Sequence, residues 1–393
     1  MKICMSSDSY WPRVNGATVS IDTFRGVLTA QGHEVHLLVP EYPGGTGVGP
    51  QDDDKIYRLP SNVLMFSRED RLITGFRGFS NGMKVLTWVK PQILHAQTEF
   101  STFRLLLKYK KKYGTPLVMT SHTYWEQYVS NYIPWLPGLV GKLVAMVIMV
   151  NSFRHADLII TPSHHMKEVL EGYGLKPPIQ VISTGIDPDK FQGFHRDRNL
   201  NPVIQQNPSW KDKKILLFAG RLSQEKNLDF LLGLFQKLIP GLPDVHMVIV
   251  GDGPYRHGFE HKIKQLGLTD RFHFAGYVQR LEMKDYYALA DVFVFPSKTE
   301  TQGLVTIESM MCGTPVVAIG EMGTLEVMNG DNGGYMVKDD PQEFFLRTQA
   351  LLTDPQLWRS KSVEALEYSK KWTIGTQAEK LLDAYTKLIQ ESN

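Results

Sequence analysis

Cysteine is scarce in this chain of 393 residues: Cys4 and Cys312 are the only two, each inside an apolar run. Thiols so placed exclude a disulfide framework and fit a reducing compartment, so a cytoplasmic location is expected. Long hydrophobic runs are missing as well. The longest, Leu143 to Val150, falls far short of the roughly 20 residues that span a bilayer. The start, Met1-Lys-Ile-Cys-Met-Ser, shows no secretory pattern and runs straight into strand-like sequence. An integral membrane protein is therefore not expected. Charge of one sign is also lacking, with a net of +2. The cluster Lys108-Tyr-Lys-Lys-Lys112 comes without any nucleic-acid-binding motif and reads as a solvated helix face, so no nucleic-acid partner is expected.

What is present is an ordinary globular composition, 42% hydrophobic and 21% charged, on a chain longer than one core usually serves. Short apolar runs alternate with helical patterns, the signature of α/β units with parallel sheets. The first half gives expected strands at Lys2–Ser7, Glu34–Val39, Ile56–Leu59, Ile93–His95, Leu117–Ser121, Leu158–Thr161 and Gln180–Ile182. The second gives Ile215–Ala219, His246–Val250, Phe272–Ala275, Val292–Phe295, Val316–Ala318 and Tyr335–Val337. Each series has its own first strand and glycine-bearing turn, which implies two Rossmann-like domains facing across a cleft. The expected division is 1–185 with a returning C-terminal helix at about 372–393, and 186–371. Gly185-Ile-Asp187-Pro188 reads as the hinge exit, and the polar stretch from His195 to Trp210-Lys-Asp as the composition break. Ligands of open α/β sheets lie beyond the carboxyl ends of the strands, so the chemistry is expected there.

The densest functional signal is Ser297-Lys-Thr-Glu300-Thr-Gln-Gly303-Leu304-Val305-Thr-Ile-Glu308, which leaves one apolar strand and enters a helix. Glycine at such a turn lets backbone amides approach a ligand, and the helix N-terminus favours phosphate. Glu300 on the loop and Glu308 one turn into the helix could bind hydroxyls on either side of that phosphate. This is a recipe for a sugar nucleotide. Phe218-Ala-Gly220-Arg221-Leu-Ser-Gln-Glu-Lys226-Asn227 opens the second domain and sets two cations around a glycine. Arginine grips a diphosphate bidentately and lysine adds a mobile charge, so the pair could stabilise a departing nucleoside diphosphate. Val250-Gly-Asp252-Gly253-Pro254 reads as a tight turn first and a ligand contact second.

In the first domain, Asp8-Ser-Tyr10-Trp11-Pro-Arg-Val-Asn15-Gly16 follows the first strand. It lacks the Gly-x-Gly-x-x-Gly spacing and the later acidic residue of a nicotinamide site, which makes a dehydrogenase a poor competitor. Thr120-Ser-His122-Thr-Tyr-Trp-Glu126 places a histidine at a strand's carboxyl end, and a functional role is favoured for it. His95 ends another strand and is read as structural or as a support behind a site residue. Arg68 and Arg71 among aromatics between Phe66 and Phe79, then Trp135 in Tyr132-Ile-Pro-Trp-Leu-Pro, could meet a headgroup layer. Leu139–Val150 reads equally as a membrane-facing segment or a core helix.

The Glu300–Glu308 spacing resembles the Glu-x7-Glu signature of retaining glycosyltransferases of the GT-B fold, family 4. His95-Ala-Gln-Thr-Glu-Phe-Ser101, Ser121-His-Thr-Tyr-Trp-Glu126, Ser183-Thr-Gly-Ile-Asp187 and Lys298-Thr-Glu-Thr-Gln-Gly-Leu304 resemble the branch containing monoglucosyldiacylglycerol synthases. The resemblance spans nearly the whole chain. It departs in the acidic loop Val48 to Lys55 and in a longer, polar linker at Pro202–Asp212, which leaves the acceptor and the packing of the domains open. It implies a hexose, typically glucose, moved from a UDP-sugar to a membrane lipid such as diacylglycerol, with retention by a front-face route. No metal and no cofactor beyond the donor substrate are expected, because such enzymes use basic residues and helix dipoles instead.

By the same resemblance, Arg221 and Lys226 bind the diphosphate, Glu300 the sugar and Glu308 the ribose, while His122 positions the sugar. The main chain at Val278 would hold the base, and Gly16, Gly220, Asp252, Gly253, Gly303, Leu304 and Val305 would complete the donor site. Tyr10, Trp11 and Glu126 would face the acceptor, with Arg68, Arg71 and Trp135 towards an anionic membrane surface. The expected location is the cytoplasmic face of a membrane, held peripherally. A soluble or polyprenyl-linked acceptor, or an inactive nucleotide-sugar-binding protein, remain the alternatives.

Overall fold

A computed structural model describes residues 1–13, 16–42, 52–64, 67–122, 146–147, 149–300, 302–328 and 330–392, with residues 64 and 67–70 described by backbone alone. The chain forms two compact units: Met1–Thr184 with Gln377–Asn393, and Gly185–Thr376. In the first unit the parallel strands are β1 (Lys2–Ser6), β2 (Glu34–Pro40), β3 (Ile56–Leu59), β6 (Ile93–Ala96), β7 (Leu117–Thr120), β8 (Leu158–Thr161) and β9 (Ile179–Val181). They lie in the order β3-β2-β1-β6-β7-β8-β9. A short antiparallel hairpin, β4 (Ser61–Leu64) with β5 (Ser67–Ile73), stands outside this sheet.

The second unit holds β10 (Lys214–Ala219), β11 (Val245–Val250), β12 (Phe272–Gly276), β13 (Val292–Phe295), β14 (Val316–Ile319) and β15 (Gly334–Val337). Their order is β12-β11-β10-β13-β14-β15, and every pairing is parallel. Residues such as Leu216, Leu217, Phe218, Phe293 and Val294 are fully buried. That is why these strands read as unbroken apolar runs: helices cover both faces of a parallel sheet, so neither face can be polar. In each sheet the strand order reverses beside the first strand, between β1 and β6 and between β10 and β13. Such a switch point leaves a crevice, because the connections on its two sides depart to opposite faces.

One expectation is corrected here. The polar stretch after His195 is not a linker but a folded part of the second unit. Asn201 is fully buried, and its side chain caps the helix Pro202–Gln206 by accepting from Val203 and Ile204. Val203, Ile204 and Trp210 join the core, and Arg198 pairs with Asp291 at 2.7 Å. The hairpin Ser61–Ile73 was not foreseen, since its charged residues break the two-residue alternation that marks a strand. The closing helix spans Ile374–Ser392, and it buries Ile374, Ala378, Leu381, Tyr385 and Leu388 on one stripe.

Candidate active site

In the second unit, the loops after β10 and β13 flank the switch point and carry the charged residues. The loop Gly220–Asn227 leads into the helix Leu228–Leu238, and Asn227 takes the left-handed conformation at the junction. Its amide nitrogen donates to the Pro296 carbonyl at 3.2 Å, tying the two loops together. Thr299 adds a second tie, its hydroxyl donating to the Glu225 carbonyl at 3.3 Å. Across these ties the Lys226 ammonium lies 2.8 Å from Glu300 Oε2, with the two side chains 16% and 25% exposed. One proton of the three on Nζ is engaged there, so the others remain for a ligand. Arg221 is exposed, and its side chain has no ion pair or hydrogen bond among the described residues.

Glycines shape this corner for a definite reason. Gly220 N–H donates to the Val250 carbonyl, Leu222 N–H to the Asp252 carbonyl, and Gly251 N–H to the Gly276 carbonyl. The turns after β10, β11 and β12 are thus stitched backbone to backbone. A β-carbon on Gly251, whose φ is +124°, would sit 2.0 Å from the Gly220 oxygen, and one on Gly253 would sit 2.4 Å from the Leu222 oxygen. The carboxylate of Asp252 is committed to the same turn, accepting from Gly253 N–H at 2.7 Å and from Arg256 at 3.1 Å. Asp252 and Gly253 thus both serve the tight turn that the motif suggests. Val278 follows β12 and packs partly against the core, leaving its backbone beside the exposed Tyr277.

Gly303 has φ +65° and immediately precedes the helix Leu304–Met311, so the amides of Leu304 and Val305 form its first turn at the positive end of the dipole. A β-carbon at Gly303 would press to 2.9 Å against Val327. Glu308 lies in the same helix with its side chain 13% exposed; Tyr287 donates to it at 2.9 Å and Arg280 at 3.3 Å. Burial pushes its carboxyl above the usual range, against the pull of Arg280 and Tyr287. Neither Tyr287 nor Arg280 was singled out from the sequence. A tyrosine in a short helix carries no mark of the carboxylate it meets.

In the first unit, the loops after β1 and β6 are closed by Asp8. Its buried carboxylate accepts from Thr98 at 2.7 Å, from Thr102 hydroxyl and N–H at 3.0 and 3.1 Å, and from Ser101. Gly16 opens the helix Gly16–Ala30 with nothing within 4 Å of where a β-carbon would stand. Tyr10, expected to face the acceptor, is 2% exposed and gives its hydroxyl to Asp22 at 2.5 Å. Trp11 is half-buried and donates to the other oxygen of Asp22. Arg71, expected near a membrane, is 8% exposed and held by Ser61 through two bonds of 2.9 Å. Tyr10 and Arg71 are internal fasteners, not surface contacts. Glu126 and Trp135, and the side chain of Arg68, lie outside the described residues, as does most of Leu139–Val150.

Surface aromatics occur elsewhere on this unit. Phe76 is 88% and Trp88 71% exposed on the helix Gly75–Val89, and they share a groove with Lys84, Lys108 and Lys112. Asp52 and Asp53, from the acidic loop, are paired with Arg58 and Arg25. Among the described residues, no helix is long and apolar enough to cross a membrane.

His122 follows β7, and its Nε2 lies 2.7 Å from Gln97 Oε1. Burial holds its pKa down to about 4 and that of His95 down to about 3. His95 is 1% exposed and sits between Tyr385 and Thr120, which agrees with its structural reading. Both rings titrate near 6.5 when unfolded (about, for a free imidazole), so the unfolded chain takes protons the folded one refuses. Their contribution to stability is complete above that value and is lost as pH falls towards the folded pKa values. Replacing His95 by Gln should therefore flatten the fall in denaturation midpoint between about pH 6.5 and 4, as urea titrations at several pH values would show.

Two parallel sheets flanked by helices, each with a switch point beside its first strand, define the class: a GT-B glycosyltransferase fold. Residues 14–190 match the family described as Glycosyltransferase Family 4, and residues 201–372 match Glycosyl transferases group 1. The chain belongs to this family of glycosyltransferases, and it is an enzyme of that kind. It is 33% identical to the alpha-monoglucosyldiacylglycerol synthase of Streptococcus pneumoniae over 81% of this chain and 71% of that one. A second synthase of that name, from Acholeplasma laidlawii, is 24% identical over 100% of this chain and 98% of its own. Among solved structures, a sucrose-phosphate synthase from Thermosynechococcus elongatus superposes with a TM-score of 0.75 at 19% identity, covering 100% of both chains.

Proposed function

We propose that the protein transfers glucose from UDP-glucose to the free hydroxyl of a diacylglycerol, with retention at the anomeric carbon and without a metal. The observation that carries this reading is the cluster at the second unit's switch point: the exposed Arg221, whose side chain makes no ion pair or hydrogen bond among the described residues, and Lys226 beside Glu300 at 2.8 Å. Two cations next to a helix N-terminus supply the positive charge a departing diphosphate needs. In the front-face route the bond from the anomeric carbon to the diphosphate oxygen breaks while the acceptor oxygen bonds on the same face. The acceptor's proton passes to the leaving phosphate. Glu300 would hold sugar hydroxyls, Glu308 the ribose hydroxyls, and the Val278 main chain the base. His122 would hold a sugar hydroxyl.

The acceptor is argued from the relatives' names and from the first unit's surface. Phe76 and Trp88, exposed beside Lys84, Lys108 and Lys112, suit the headgroup layer of an anionic membrane. The location would then be peripheral, on a cytoplasmic membrane face. The test is incubation with labelled UDP-glucose and liposomes of diacylglycerol plus anionic lipid. Label in an extracted glucosyl-diacylglycerol supports the reading. Release of UDP with an empty lipid phase moves the acceptor to a soluble or polyprenyl-linked molecule. No release of UDP would leave a protein that binds without transfer, or one with another donor.

A further inference from the structure

The second unit has a cleft at the amino ends of β10 and β13, the opposite end of the sheet from the candidate site. Lys214 begins β10 and Asp291 immediately precedes β13, whereas Arg221 and Glu300 follow the carboxyl ends of the same two strands. The 6 residues of β10 set the two ends about 20 Å apart. The cleft encloses about 380 Å³, within the range of about 300–1,000 Å³ that small-molecule sites occupy.

Its lining is unbalanced in charge. Among the described residues, the four cations Arg196, Arg198, Lys214 and Arg359 meet the one carboxylate of Asp291, a surplus of three. That carboxylate is already engaged. Its Oδ2 accepts from Arg198 and from Ile215 N–H, each at 2.7 Å, and Lys214 comes only within 3.9 Å of Oδ1. Arg359 is exposed, and its side chain has no partner among the described residues.

Arg196 shows the imbalance most clearly. It is half-buried, donates to the Ala288 carbonyl at 3.3 Å and the Thr314 hydroxyl at 2.7 Å, and lies 4.8 Å over the Trp358 ring. Its Nε–H is shut off from water and has no acceptor among the described residues. Burial holds its pKa down to about 10, so it stays charged at neutral pH in surroundings that disfavour charge. A desolvated cation is ordinarily matched by an anion, and no described carboxylate pairs with this one.

We propose that this cleft binds a phosphate monoester, with the phosphate among Arg196, Lys214 and Arg359 and the carbon portion against Leu289, Leu351 and the Trp358 ring. A monoester carries nearly two negative charges at neutral pH. That answers the surplus better than a carboxylate would, and its oxygens suit the forked N–H groups of arginine. The apolar wall favours an organic phosphate over the bare ion. Because the cleft lies at the far end of the strands, a ligand there leaves the candidate donor site free. The same group ends a small phosphorylated metabolite and the headgroup of phosphatidic acid, so the test has an arm for each source.

Calorimetric titration of the full chain with glycerol 3-phosphate serves the soluble arm. Wild type and Lys226→Ala should bind it alike, and Lys214→Gln/Arg359→Gln should bind at least about tenfold more weakly, as fits the loss of charge-assisted bonds. Flotation with phosphatidylcholine vesicles containing phosphatidic acid serves the lipid arm. Recovery should fall in Lys214→Gln/Arg359→Gln but not in Lys176→Gln/Lys264→Gln, which removes the same charge from exposed places elsewhere. Success in either arm supports the proposal and names the source. A fall in recovery shared by both pairs is general charge attraction and counts as failure of that arm. Failure of both arms overturns the proposal. So does binding that Lys226→Ala abolishes and Lys214→Gln/Arg359→Gln keeps, which would put the phosphate at the donor site. Should the double variant not fold, the exposed Arg359→Gln alone carries the same comparisons. None of these readouts depends on transfer of glucose.

Discussion

Lys226→Ala should lower turnover by about 10²–10³-fold, the range seen when one preorganised donor to a developing negative charge is removed. The loss of stability should be small. Lys226 and Glu300 are both partly exposed, and pairs of that kind contribute about 0–1 kcal/mol. Glu300, left alone, can turn towards water. The outcome separates two roles for the same lysine. If it serves only to hold Glu300 in place, then Glu300→Gln, which keeps the shape of the partner, should reproduce the whole effect on turnover. If it serves the leaving group, the lysine variant should be much the slower, and Lys226→Arg should recover part of the loss because it restores the charge. Steady-state rates for the four proteins, with melting temperatures beside them, make the comparison. A Lys226→Ala enzyme with wild-type turnover would sink the assignment.

The sheets could be read from the chain because parallel strands buried on both faces admit almost nothing but apolar residues. Val292–Phe295 and Lys214–Ala219 show this, and the loops of the candidate site follow directly from their carboxyl ends. Glu300, Lys226 and Arg221 were legible for that reason: a strand, then a turn, then charge. Partners distant in sequence were not. Tyr385 meets His95 across 290 residues, and Tyr287 meets Glu308 from a different helix. Neither tyrosine is distinguishable by type or spacing from a core residue.

The same limit produced the errors at Tyr10 and Arg71. An aromatic beside proline and an arginine among aromatics look exposed until Asp22 and Ser61 are found to hold them inside. A polar run misleads in the opposite direction. Asn201 comes three residues after the charged run Arg196-Asp197-Arg198, yet its buried side chain caps a helix whose next residues enter the core. A sequence shows which residues prefer water, whereas burial depends on whether each polar atom finds a partner.

Glu308→Gln should raise the KM for the nucleotide sugar by roughly 10- to 100-fold, with kcat changed far less; hydrogen bonds to a charged group carry about 1.5–3 kcal/mol each. The argument begins with what already surrounds the carboxylate. Oε2 accepts from Tyr287 and Oε1 lies near Arg280, so each oxygen has one neighbour and capacity for another donor. Two ribose hydroxyls could fill that capacity. The amide of glutamine offers one oxygen only, and its NH2 would face either Arg280 or a ribose hydroxyl that needs an acceptor. Binding in the ground state and in the transition state suffers alike, which is the pattern of a raised KM.

Stability should move the other way. Burial lifts the folded pKa of Glu308, so its ionised form is a cost to the fold that grows as pH rises through that pKa. The neutral amide removes this cost, and the variant should melt no lower than the wild type near neutral pH. A variant that binds donor poorly while remaining at least as stable would mark Glu308 as a residue retained for its ligand. Weaker donor binding accompanied by an equal loss of stability would make Glu308 a structural partner of Tyr287 instead. Calorimetric titration with UDP and thermal melts on the same samples decide between the two.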